Sequence, residues 1–181
     1  MTLPTRFAAY VTVTVAYWAF MLTDGALRML VLLHFHTLGF SPVQLAYLFV
    51  LYEIAGVVTN LSAGWFAARF GLTTTLYAGL SLQVLALLAL AQLDNSWGIT
   101  ASVVFVMLVQ GVSGVAKDLT KMSSKSAVKT LAPADSGVLF QWVAVLTGSK
   151  NAVKGSGFLL GAMLLAVFGF VSSVLIMAVI L

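Results

Sequence analysis

The chain reads as long apolar runs separated by short breaks rich in glycine, proline, serine and charge. A helix needs about 20 apolar residues to cross about 30 Å of hydrocarbon, and cutting the chain at its breaks gives segments of that order. The first covers 7–35. In Gly39-Phe40-Ser41-Pro42, Ser41 suits an N-cap, Pro42 the first helical position, and Gln44 completes a capping box for a helix over 42–68. Arg69-Phe70-Gly71 reads as a tight turn. A third helix over 73–93 contains no charge, and Gln83 is its most polar interior residue. Asp94-Asn95-Ser96 forms a polar turn beside Trp97, an aromatic of the kind that settles at membrane interfaces. No breaker follows before Pro133, so the pattern predicts a helix over 97–131 that is longer than a bilayer is thick. Asp135 or Ser136 can cap a fifth helix over 136–168, whose Gly155, Gly157 and Gly161 suit close helix packing. A sixth, over 171–181, is too short to span and is expected to continue past Leu181.

Composition turns these segments into membrane spans. With 61% hydrophobic residues, 8% charged, five carboxylates and a mean hydropathy of +1.08, the 181 residues cannot clothe themselves in a water-soluble surface. The fold class is therefore all-α, a polytopic helix bundle in a lipid bilayer. The net charge of +4 does not point to nucleic acid, because in a membrane chain the position of the cations matters more than their sum. Arg6, Arg69 and Lys125 to Lys129 fall on alternate turns, which places the N-terminus on the cytoplasmic side of the inner (plasma) membrane. MTLPTRF leads straight into the first apolar run and reads as the start of a span, not a signal peptide. Cysteine is absent, so redox compartment cannot be read. His34 and His36 point in different directions at a helix end and read as interfacial polar residues, not metal ligands. No nucleophile–base constellation, metal cluster or phosphate loop stands out, so the sequence suggests neither an enzyme nor a cofactor.

The remaining charges lie where charge is expensive. Asp24, Arg28, Glu53, Lys117, Asp118, Lys150 and Lys154 fall near the midpoints of the first, second, fourth and fifth spans. An ionisable group that deep costs several kcal/mol unless it pairs or lines a polar cavity. Asp24 with Arg28, and Lys150 with Lys154, are spaced to share a helical face; Asp118 can pair with Lys121 or Lys117. Glu53 reads either as a protonated helix contact or as a proton carrier, since burial raises a carboxylate pKa. Gly56, Asn60 and Gly64 share a face suited to close packing. Lys117, Lys121, Lys125 and Lys129 recur every four residues, and each stands about 40° round the helix from the last. The first two lie within the bilayer, whereas the last two can snorkel to the headgroups.

The stretch GWFAARFGLTTT, Gly64 to Thr75, resembles the loop signature between the second and third helices of the major facilitator superfamily. Gly64, Arg69 and Gly71 match its gating loop, while Ala68 stands where an acidic residue is usual and Thr73 where a basic one is expected. Gln110-Gly111 and the glycine-rich KGSGFLLG add to the likeness. More closely, YWAFMLTDGALRMLVLLHFHTLGFSP, AKDLTKMSSKSAVK and LTGSKNAVKGSGF resemble the organoarsenical efflux permeases, the ArsJ-type branch of that superfamily. The resemblance implies that 1–181 is the N-terminal six-helix half of a twelve-helix transporter, with its sixth helix incomplete and a C-terminal half missing. It also implies export of 1-arseno-3-phosphoglycerate, with a functional link to a glyceraldehyde-3-phosphate dehydrogenase that accepts arsenate. On that reading Arg28, Lys117, Lys121, Lys150, Asn151 and Lys154 bind a small anionic substrate. Asp24, Glu53 and Asp118 serve proton coupling or ion pairing, and Arg69 acts mainly as an orienting charge. The alternatives are a drug or sugar-phosphate antiporter of the same fold, and a non-transporting membrane scaffold.

Overall fold

A computed structural model of the chain describes residues 3–94, 96–132 and 136–181, and all regular structure among them is helical. Helix α1 covers Leu3–Thr37, α2 Pro42–Tyr47, α3 Val50–Phe70, α4 Leu72–Leu90, α5 Ile99–Leu131 and α6 Ser136–Ile180. Five spans, with α2 and α3 taken together, are long and apolar enough to cross a membrane among these residues. The chain is thus a multi-pass helical bundle suited to contact with lipid.

Local chemistry accounts for the breaks. Ser41 Oγ accepts from the Gln44 backbone N–H at 3.4 Å, and Gln44 Oε1 accepts from the Ser41 N–H at 2.8 Å, closing the capping box that opens α2. The expected helix over 42–68 is instead α2 and α3 in succession, with a turn at Leu48 and Phe49. Gly71, at φ +86°, joins α3 to α4 in a conformation that side chains oppose. The Ser96 N–H donates to Asp94 Oδ1 at 2.8 Å, and this holds the exposed Asp94 carboxyl below its ordinary pKa. The expected breaks at Asn95, Pro133 and Asp135 lie outside the described residues, as does the Ser136 side chain. The fifth and sixth helices expected from sequence run on as α6, bent at Gly169, where φ is +73° and ψ −178°.

Packing divides the bundle into two tightly apposed sets joined through α1 and α5. Helix α1 lies against α6, and α5 lies against both α3 and α4. Small residues set the closeness of approach. A Cβ added at Gly157 or Gly161 would overlap the α1 backbone at Leu22 or Ala26, and one at Gly114 would overlap the backbone of Tyr52. Gly155 has no such neighbour. Gln83 is fully buried and accepts from Ser113 Oγ at 2.6 Å, so the uncharged α4 is fixed to α5 by a polar contact. One end of the bundle gathers Ala9, Leu72 and Ala127 around a cavity, and the other gathers His34, Asp94 and Ile99. His34 lies against the Phe170 ring at 4.2 Å. Apolar side chains such as Val57, Val58, Leu61, Leu159 and Val167 face outward, as lipid requires.

Candidate functional site

Four helices bring their mid-length charges to one level. On α1, Asp24 has no exposed surface; it accepts from Tyr52 Oη at 2.5 Å and pairs with Lys154 Nζ at 2.6 Å. A carboxylate can be kept so deep because it holds both an ammonium and a hydroxyl donor. Gly25 makes the arrangement possible: a Cβ there would overlap the Lys154 carbonyl, so the glycine lets α6 bring Lys154 alongside Asp24.

Arg28, one turn beyond Asp24, forms no ion pair with it among the described residues. Its Nη2 meets Glu53 Oε1 on α3 at 2.8 Å, so the same-helix pairing of Asp24 with Arg28 expected from their spacing is replaced by contacts between helices. The physical reason is Tyr52. The Arg28 guanidinium stacks over its ring at 4.2 Å, and Lys117 Nζ approaches the same ring at 4.2 Å. Each such contact contributes about 0.5–2 kcal/mol. Tyr52, itself fully buried, therefore binds two cations with its face and a carboxylate with its hydroxyl.

On α5, Asp118 is buried and pairs with Lys121 at 2.8 Å and Lys117 at 3.6 Å; the expected pairing thus forms. Lys117 also lies 3.7 Å from Glu53. The Glu53 side chain is 58% exposed within this chain and is ion-paired with Arg28 and Lys117, where the sequence left it as a protonated contact or a proton carrier. Gly56 packs over Lys117 and Asp118, whereas Asn60 is exposed and Gly64 has no neighbour within 4 Å of an added Cβ among the described residues. The close-packing face expected over these three therefore shrinks to Gly56.

Lys117, Lys121, Lys150, Asn151 and Lys154 line a single cavity of about 230 Å³ together with Tyr17 and Met21. Five cations, Arg28 included, meet three carboxylates at this level, so two positive charges remain over. Larger cavities occur elsewhere. One of about 300 Å³ at the His34 and Asp94 end and one of about 430 Å³ beside Phe168 and Gly169 hold no comparable set of charges, so size does not locate the chemistry. Farther along the lysine stripe, Lys125 is partly buried and Lys129 exposed. Arg69 stacks on Trp65 and Phe70 at 5.5 and 5.9 Å and has no carboxylate partner among the described residues; Gly71 supplies the turn beside it.

Two tyrosines, Tyr17 and Tyr52, complete the site without being marked by charge in the sequence. Tyr17, Met21, Asp24 and Arg28 recur at intervals of three and four and so share one face of α1, a spacing that would have found Tyr17. Tyr52 adjoins Glu53, and only the folded arrangement of α3 with α1 and α5 shows that its ring receives both cations. Compared with protein-family models, with curated proteins and with solved structures, the chain matches none.

Proposed function

We propose that this bundle is the N-terminal half of a major facilitator type transporter that exports a small organic polyanion. The observation that carries the reading is the cavity lined by four lysines within the long apolar helices α5 and α6, in a chain with 8% charged residues. Cations held that deep, in excess of the local carboxylates, suit an anion stripped of water far better than a hydrophobic drug. Packing supports an inverted-repeat arrangement. Counting the segment after Gly169 as a sixth helix gives two triplets, and the first helix of each packs on the second helix of the other, α1 on α6 and α5 on α3.

The substrate we propose, on the resemblance in sequence, is 1-arseno-3-phosphoglycerate, supplied by an arsenate-accepting glyceraldehyde-3-phosphate dehydrogenase, with arsenate resistance as the outcome. Asp24 and Asp118 are buried and paired with cavity lysines, so a substrate that draws those lysines away acts on them directly, and with Glu53 they are the carboxylates assigned to coupling or ion pairing. Arg6, Arg69, Lys125 and Lys129 orient the N-terminus to the cytoplasm of the inner membrane. The lack of cysteine makes that orientation simple to test: a single cysteine at Arg6 should resist a membrane-impermeant thiol reagent in intact cells, and one at Asp94 should react. For function, everted vesicles containing this half assembled with a C-terminal half should accumulate the arsenylated phosphoglycerate. Accumulation of a neutral drug but of no phosphate ester would overturn the proposal.

A further inference from the structure

Three of the four cavity lysines are already engaged. Lys154 pairs with Asp24, and Lys121 and Lys117 with Asp118. Lys150 lines the same cavity and forms no ion pair among the described residues. Lys125 lies within electrostatic reach of it, which adds to the positive potential around its ammonium. The cavity also contains a second group without a partner. Tyr17 has no exposed surface, its hydroxyl makes no hydrogen bond among the described residues, and it lies within electrostatic reach of both Asp24 and Asp118. A buried hydroxyl left unpaired is costly, and such groups in native proteins are nearly always satisfied. An ammonium without a counter-ion at this depth is costlier still.

Both deficits are met by the same ligand. We propose that Tyr17 and Lys150 form the primary oxyanion subsite of this cavity, taking a tetrahedral oxyanion such as the phosphate or arsenate end of an ester. Lys150 supplies charge, and the Tyr17 hydroxyl donates a hydrogen bond. Lys154 and Lys121 are held back by their carboxylates and engage only a ligand long enough, or charged enough, to compete with them. A hydroxyl in a row of ammonium groups also serves selection. It favours an oxygen acceptor of defined direction, where lysines alone would accept any anion of the right size. This assignment rests on the anion-export reading for its cavity, adds Tyr17, which that reading does not name, and sets Lys150 apart from the three lysines already paired.

The test uses the 181-residue chain in nanodiscs of neutral lipid, with inorganic phosphate, glycerol 3-phosphate and chloride as probes, and binding measured by calorimetry. The unaltered chain should bind glycerol 3-phosphate and phosphate in preference to chloride. Tyr17→Phe, which keeps the ring and removes one donor, should weaken the phosphate ester about ten-fold or more and leave chloride binding unchanged. Lys150→Gln should weaken all three probes, and Lys150→Arg should restore the ester. Tryptophan fluorescence on heating checks that each variant is folded. Ester affinity unchanged in folded Tyr17→Phe, or no ester binding by the unaltered chain, overturns the subsite. The two proposals fail separately: ester binding that depends on Tyr17 without arsenylated export would sink only the transport reading, and export indifferent to Tyr17→Phe would sink only the subsite.

Discussion

At the scale of single residues, Tyr52 does what no charged residue here does alone. Its hydroxyl serves Asp24 on α1, while its ring serves Arg28 on α1 and Lys117 on α5, so one side chain of α3 fixes charges on two other helices. The two functions can be separated by substitution. Tyr52→Phe removes a donor to a buried carboxylate and is expected to destabilise the bundle by about 1.5–3 kcal/mol. Tyr52→Leu also removes both ring contacts and should destabilise it by about 1–4 kcal/mol more. Thermal unfolding in detergent measures both, and equal losses would show that the ring contacts contribute nothing. The charged residues themselves were legible in the sequence, because any ion at mid-span demands an explanation. Their partners were not. Spacing along one helix pairs Asp24 with Arg28, but the folded chain offers each a better partner on a different helix, and nothing in a one-dimensional pattern ranks these choices.

At the scale of helices, glycine placement decides which surfaces meet. Gly157 and Gly161 sit beneath the α1 backbone, while Gly155, two residues before the first of them, has nothing within 4 Å of an added Cβ among the described residues. Gly161→Val is therefore expected to force α1 and α6 apart and lower the yield of folded protein, whereas Gly155→Ala should be neutral or slightly stabilising through helix propensity. Size-exclusion profiles and melting temperatures report both, and similar damage from the two changes would deny the close contact. The sequence showed a glycine-rich segment but not which of its glycines do the packing, since that depends on the rotation of α6 against α1. Breaks marked by strong local chemistry, such as Ser41 with Gln44 and the turn at Gly71, were readable in advance. The turn at Leu48 and Phe49 was not, because both are apolar residues with no local signal for ending a helix.

At the scale of the whole molecule, charge is distributed in two zones: a compensated layer with two cations to spare at mid-depth, and uncompensated cations at one end. Lys117→Gln, Lys121→Gln, Lys150→Gln and Lys154→Gln should each abolish anion export from a transporter containing this half. Lys125→Gln and Lys129→Gln should reduce it only a few-fold, with a loss that salt masks because the headgroup region is screened within about 10 Å. Equal losses at all six positions would show the lysines to be topological determinants alone. The mid-depth layer also has a consequence in time. Asp24 and Lys154 lie 130 residues apart in the chain. At roughly 5–20 residues per second, α1 waits roughly 6–26 s between synthesis of its acid and synthesis of that acid's permanent cation. During that interval Arg28, one turn away, is the nearest counter-charge, and the spacing that misleads about the finished protein suits the nascent one. Ribosome-bound chains ending before α6 should therefore insert α1 less efficiently when Arg28 is changed to Gln, which removes the counter-charge without making the span apolar. In chains that reach Leu181 the deficit should narrow, as the ammonium that arrives last takes over the acid that was made first.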